Sequence, residues 1–103
     1  MDLNTIDNSP KEKGVSLIIK DTDIEITVVS MNSNRAQKIF LANKEENTDA
    51  TPLLTIGWKN ITRNGKEIVF SVEEARKLYA YYPLIGNQVA EFILNEQNFL
   101  KKN

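Results

Sequence analysis

The chain has 103 residues, enough for one small domain with a modest core but not for a deep cavity between domains. It has no cysteine and no histidine, which excludes a disulfide framework, thiolate chemistry, and the commonest general base and metal ligand near neutral pH. Its 13 basic and 14 acidic side chains nearly cancel, so it lacks the positive field that sequence-independent phosphate binding needs; a local basic patch stays open.

Residues 1–13 are polar around Ser9-Pro10 and carry little to bury, so a disordered tail is expected ahead of one α+β domain over 14–103. No basic stretch there leads into an apolar core, so no signal peptide is expected. No later apolar run approaches the ~20 residues of a membrane span. These features make a cytoplasmic protein the default, and the sequon Asn60-Ile61-Thr62 incidental. Val15 to Lys20 and Ile24 to Val29 both alternate apolar and polar residues with the period of a half-buried strand. The short link Asp21-Thr22-Asp23 makes them an antiparallel hairpin.

Asn32 or Ser33 is placed to cap a short helix over 34–45, with Ala36, Ile39 and Phe40 on one side. Glu46 to Pro52 reads as a polar loop. Leu53 to Ile56 reads as a helical turn or a short strand, with helix favoured. Trp58–Arg63 and Lys66–Phe70 flank Asn64-Gly65, a pair that readily takes the positive φ angles of a tight hairpin turn. A second, smaller hairpin is therefore expected. Ser71 and Glu74 form a capping box for a helix over 72–80, whose inner face is Val72, Ala75, Leu78 and Tyr79. Tyr82-Pro83 ends it, and Pro83 starts a last helix running to about Lys101. Ile85, Val89, Phe92, Ile93 and Leu100 form its stripe, with Lys101 and Lys102 at the negative end of its dipole.

Chemistry finds little support. Glu73-Glu74 suits the first turn of a helix, and Asp21 and Asp23 are turn formers. Glu45-Glu46 is a third carboxylate pair without a visible partner. Asp21, Asp23 and Glu25 lack the glycine and the distal glutamate of a calcium loop. Arg35 and Lys38, or Lys59, Arg63 and Lys66, fit solvated faces better than a nucleic-acid contact. No catalytic, metal or cofactor residue is assigned. Gly57 is expected to let the chain leave the short helix, and Trp58 to begin the small hairpin and lock it onto the last two helices. Tyr79, Tyr81 and Tyr82 cluster between those helices and suit an interface as well as packing. Phe99 and Leu100 either close the core or form an exposed handle. The free edge of the first hairpin is a further contact surface.

The half-chain 54–101 carries an ordered set of short motifs: "IGW" (Ile56-Gly57-Trp58), "NGKEIVFSVEEARKLY" (Asn64 to Tyr79), "YPLIGNQVAEFI" (Tyr82 to Ile93) and "NF" (Asn98-Phe99). This set resembles the tail assembly chaperones of long-tailed bacteriophages. The resemblance rests on Gly57, Trp58, Asn64, Gly65, Phe70, Ser71, Ala75, Leu78, Phe92 and Phe99. The N-terminal half departs from the pattern, since the loop Glu46–Pro52 stands where a longer helix belongs.

The resemblance implies a non-enzymatic protein of the host cytoplasm, without cofactor, nucleic acid or membrane. Such a protein covers the phage tape measure protein and helps recruit the tail tube protein, and a homo-oligomer is left open. The residues expected to touch the partner are Tyr79, Tyr81, Tyr82, Phe99 and Leu100. Two other readings stand beside it. One is a virion structural protein, a tail tube or head–tail completion subunit. The other is a small phage inhibitor of a host defence or host enzyme.

Overall fold

The computed structural model describes residues 6–7, 13–42 and 50–102. The elements are β1 (Ile6–Asp7), β2 (Val15–Ile18), β3 (Glu25–Val28), α1 (Asn34–Ala42), α2 (Thr51–Leu54), β4 (Thr55–Lys59), β5 (Thr62–Arg63), β6 (Lys66–Glu67), α3 (Val72–Tyr81), α4 (Pro83–Leu94), a 3-10 turn (Glu96–Phe99) and β7 (Lys101–Lys102). The class is α+β, as expected.

The first hairpin forms as read. β2 and β3 pair antiparallel, with Val15 opposite Val28 and Leu17 opposite Ile26. Asp21 turns the chain at φ +64, a left-handed angle that aspartate tolerates. Thr22 fixes that turn, donating from Oγ1 to the Ile19 carbonyl at 2.9 Å and accepting from the Ile24 N–H at 3.0 Å. Ile26 and Val28 point into the core. On the other face Ser16 and Thr27 hydroxyls meet at 2.7 Å, and Lys59 lies 3.7 Å from Glu25.

The main correction concerns Thr55–Lys59. This segment is a third strand of the first sheet, not the start of the second hairpin: the order is β2-β3-β4. Trp58 lies opposite Ile26, Gly57 opposite Thr27 and Thr55 opposite Val28, with a register shift that leaves Ile56 as the extra residue. Thr55 and Trp58 are three apart and would face opposite sides of a regular strand. The bulge puts both on the core side.

The Asn64-Gly65 hairpin is accordingly short. Its turn takes φ +55 and +79, as the residue pair predicts, but only Thr62–Arg63 and Lys66–Glu67 pair across it, extended by an Ile68 N–H to Ile61 carbonyl bond of 2.9 Å. Asn60 separates it from β4. Its φ is +68, and its side-chain amide donates to the Asp23 carbonyl at 2.9 Å.

Gly57 does not release the helix; it has an ordinary φ and sits inside β4. The exit is at Thr55, which is extended at φ −84, ψ 130 while its N–H still reaches the Pro52 carbonyl. The strained glycine is Gly14, at φ +97, where an added Cβ would lie 2.8 Å from Ile56 Cδ1 and 3.2 Å from the Val28 carbonyl.

Ser33, not Asn32, caps α1, with its Oγ accepting from the Ala36 N–H at 2.9 Å. Residues 43–49 lie outside the described residues, so the C-terminal end of the expected helix 34–45 and most of the expected loop do too. Thr51 and Pro52, placed in that loop, are buried in α2, where Pro52 fits the first turn. Ser71 caps α3, accepting from the Glu74 N–H at 3.1 Å, and Pro83 opens α4.

The last helix ends at Leu94 rather than near Lys101. Asn95 is extended at φ −87, ψ 97, and its Oδ1 accepts from the Gln97 N–H at 3.2 Å, which favours the tighter 3-10 turn. Asn98 then donates to the Phe92 carbonyl at 2.9 Å. Lys101–Lys102 therefore stand at no helix end. They pair antiparallel with Ile6–Asp7, within the segment expected to be a tail; residues 1–5 and 8–12 lie outside the described residues. The core joins the inner face of the sheet to the helices through Ile19, Ile26, Val28, Leu54, Ala75, Tyr79, Val89, Ile93 and Phe99.

The two glycines separate cleanly by experiment. Gly14→Ala places a methyl group against Ile56 in a left-handed conformation, and urea unfolding should show a loss of about 1–3 kcal/mol. Gly57→Ala meets nothing within 4 Å, so its stability should stay within about 0.5 kcal/mol of the parent.

Candidate functional site

Trp58 organises the surface that lies between the sheet and the last two helices. Its indole N–H donates to the Ile68 carbonyl at 2.8 Å, and Phe70 meets its ring edge-on, with centroids 5.1 Å apart and planes at 90°. The indole is half-buried and ties the small hairpin to the sheet. The hairpin is thus held by Trp58 from outside it.

Beside the indole lies a groove of about 350 Å³, whose floor is Trp58, Ile61, Leu78 and Ile85. Arg63 from the hairpin and Tyr81 and Tyr82 from the α3–α4 junction border it. Tyr81 is 77% exposed and Tyr82 59%, and Leu84, at the start of α4, is 77% exposed. Exposed aromatic side chains bordering a groove are suited to contact with another polypeptide.

The other expected contact residues divide. Tyr79 is 8% exposed and belongs to the core. Thr55 Oγ1 donates to the Thr51 carbonyl at 2.9 Å, so the Tyr79 hydroxyl donates to Thr55 across 2.8 Å. Gly86 permits this packing, since a Cβ there would stand 3.1 Å from Tyr79 Cβ. Phe99 is fully buried, edge-on to Phe92 at 5.8 Å, and closes the core rather than offering a handle. Leu100 is exposed. It lies past the end of α4, off the helix stripe in which it was placed.

Leu84 was missed, although its signal was present: it falls beside the Ile85, Val89, Phe92 stripe, one position off the inner face. Of the motif residues, Ala75 is buried, Leu78 and Phe92 are half-buried, and Asn64 and Gly65 are exposed in their turn. They hold the shape of the site rather than line it, Leu78 and Trp58 excepted.

The carboxylates are dispersed. Glu25 is near Lys59, and Glu74 is 3.8 Å from Lys77. Glu45 and Glu46 lie outside the described residues. Among the described residues, no group of three or more acidic side chains is placed to hold a metal ion. Ser30 donates to both oxygens of Glu96, at 2.9 and 3.2 Å, and Asn32 Nδ2 donates a hydrogen bond of 2.9 Å to the same carboxylate. Ser30 is fully buried, Glu96 half-buried and Asn32 exposed, and the cluster latches the 3-10 turn to the β3–α1 loop. Arg35 and Lys38 are exposed on α1, and Arg63 and Lys66 on the small hairpin.

Compared with protein-family models, curated proteins and solved structures, the chain matches none at a significant level. Among the described residues no helix is long and apolar enough to cross a membrane.

Trp58→Phe keeps an aromatic ring in place but removes the donor to Ile68 together with part of the ring's packing volume. It should cost about 1–3 kcal/mol, because the Ile68 carbonyl loses its partner in a part-buried site. Hydrogen exchange should accelerate across residues 62–68 and stay unchanged at Ile26 and Val28.

Proposed function

We propose that this chain is a non-enzymatic protein-binding module, a tail assembly chaperone of a long-tailed bacteriophage, working in the host cytoplasm. It covers apolar stretches of the tape measure protein and helps recruit the tail tube protein. The observation that carries the reading is the exposed Tyr81 and Tyr82 bordering a groove lined by Trp58, Leu78 and Ile85, with the exposed Leu84 following them in the chain. The ordered motif set over 54–101 supports it from the sequence.

The physical logic is transient cover. A long helical segment exposes apolar residues until its final partner arrives. A shallow, aromatic-bordered groove can shelter a few of them, and many copies along one segment add avidity while each remains easy to displace. Tyrosines suit such a border, since they bring contact area with few rotatable bonds.

A virion structural subunit is the second reading, favoured by the open edge of β2, which suits strand addition. Purified particles separate the two: a chaperone is absent from them and a subunit is present.

Co-expression with a tape measure fragment tests the first reading. The fragment should become soluble and co-purify with the chain. The double substitution Tyr81→Ala, Leu84→Ala should weaken that binding by about 2–4 kcal/mol, while urea unfolding stays within about 0.5 kcal/mol of the parent. A fragment that stays insoluble beside the folded chain contradicts the proposal.

A further inference from the structure

β2 is an outer strand of its sheet, and its free edge has sharply defined ends. Ile19 donates its N–H to the Ile24 carbonyl, so Leu17 and Val15, two and four residues back, also turn their backbone groups toward β3. The N–H and C=O of Ser16 and Ile18 therefore point away from the sheet. Lys20 points the same way, but Gln88 Oε1 already takes its N–H at 2.9 Å. At the other end Gly14, at φ +97, leaves the extended conformation. Among the described residues, the edge open to a new strand is thus Val15–Ile18, with outward groups on Ser16 and Ile18, symmetric about Leu17.

We infer that this edge pairs with the same edge of a second copy of the chain, antiparallel about a twofold axis through Leu17. In that register each Ser16 faces Ile18 of the other copy, and the two exchange N–H···O=C bonds in both directions. Leu17 faces Leu17 on the core side of the sheet. A register centred on Ile18 would need the Lys20 N–H that Gln88 holds, and one centred on Ser16 would need Gly14 in an extended conformation. Only the Leu17-centred arrangement uses every free group and no other.

Charge and side-chain character fit a second copy. Gly14 to Ile19 carries no charge, and in this register the flanking Lys20 faces Gly14 of the other copy rather than its own counterpart. Exposed edges are ordinarily blunted by lysine, proline or a bulge. Here the bulge lies on the far side, between β3 and β4, and Ile18 is 59% exposed at the rim. Below the edge a shallow shelf lined by Leu17, Gln88, Phe92, Asn95 and the acidic Glu91 leaves room beside α4 for the incoming strand. The paired stretch is only four residues, about 13 Å, so the contact falls short of the roughly 800 Å² per partner of a stable dimer. A weak, reversible dimer follows. It is independent of what the Trp58 groove binds.

Sedimentation of the full chain over a concentration series tests this, read beside amide exchange. The expected result is a monomer–dimer equilibrium with Kd below about 1 mM. The Ser16 and Ile18 amides should gain protection as concentration rises. Ile18→Lys, on the exposed outer face, and Ser16→Pro, which removes an outward N–H, should each weaken the dimer by about tenfold or more, with unchanged circular dichroism. A chain that remains monomeric at about 1 mM overturns the inference. So does a dimer indifferent to both substitutions, or an edge protected only when a foreign polypeptide is added.

Discussion

One bulged strand joins the two halves of this protein. β4 pairs with β3 along one edge and turns Thr55 and Trp58 toward the helices, which a regular strand could not do for residues three apart. Thr55 donates a hydrogen bond to the Thr51 carbonyl in α2 and receives one from the Tyr79 hydroxyl in α3, so a hydrogen-bonded chain links sheet and helices inside the core. Leaving such a group unpaired costs about 1–3 kcal/mol, enough to fix the register of β4. Among the described residues no buried side-chain polar atom lacks a partner.

The groove follows from that arrangement. Because Trp58 is held at its ring by Phe70 and at its nitrogen by Ile68, the small hairpin cannot swing over the helices. A depression stays open between the hairpin and the α3–α4 junction, and Tyr81 and Tyr82 border it. Pro83 ends α3 there and leaves both tyrosines at the bend, while Tyr79, one turn earlier, is drawn inside by Thr55. Three neighbouring tyrosines thus take two different roles, decided by helix phase.

Much of the fold was legible from local rules. The alternation of Val15–Lys20 and Ile24–Val29, the Asn64-Gly65 turn, the Ser71 cap and the Pro83 start each describe an interaction within a few residues. The misreadings share a cause: they turned on partners distant in sequence. The segment 55–59 joins a strand some thirty residues earlier. Nothing in "LTIGWKNI" states that, and the nearby Asn-Gly turn pointed to the wrong partner. Asn60 was the missed punctuation, since asparagine accepts the left-handed angle that ends β4. Likewise Asn95 offered its side chain to the backbone and ended α4 before the apolar stripe ran out. Of the site, the junction tyrosines were visible as a cluster, but their division into core and surface required the helix packing around Gly86.

The account rests on the groove beside Trp58 being a surface for another polypeptide. Methyl NMR of the full chain, titrated with a soluble tape measure peptide, addresses that directly. The account predicts shifts at Ile61, Leu78, Leu84 and Ile85, with Ile19 and Val28 unmoved. Shifts absent there, or confined to Leu17 and Ile18 on the opposite edge of the sheet, would contradict it.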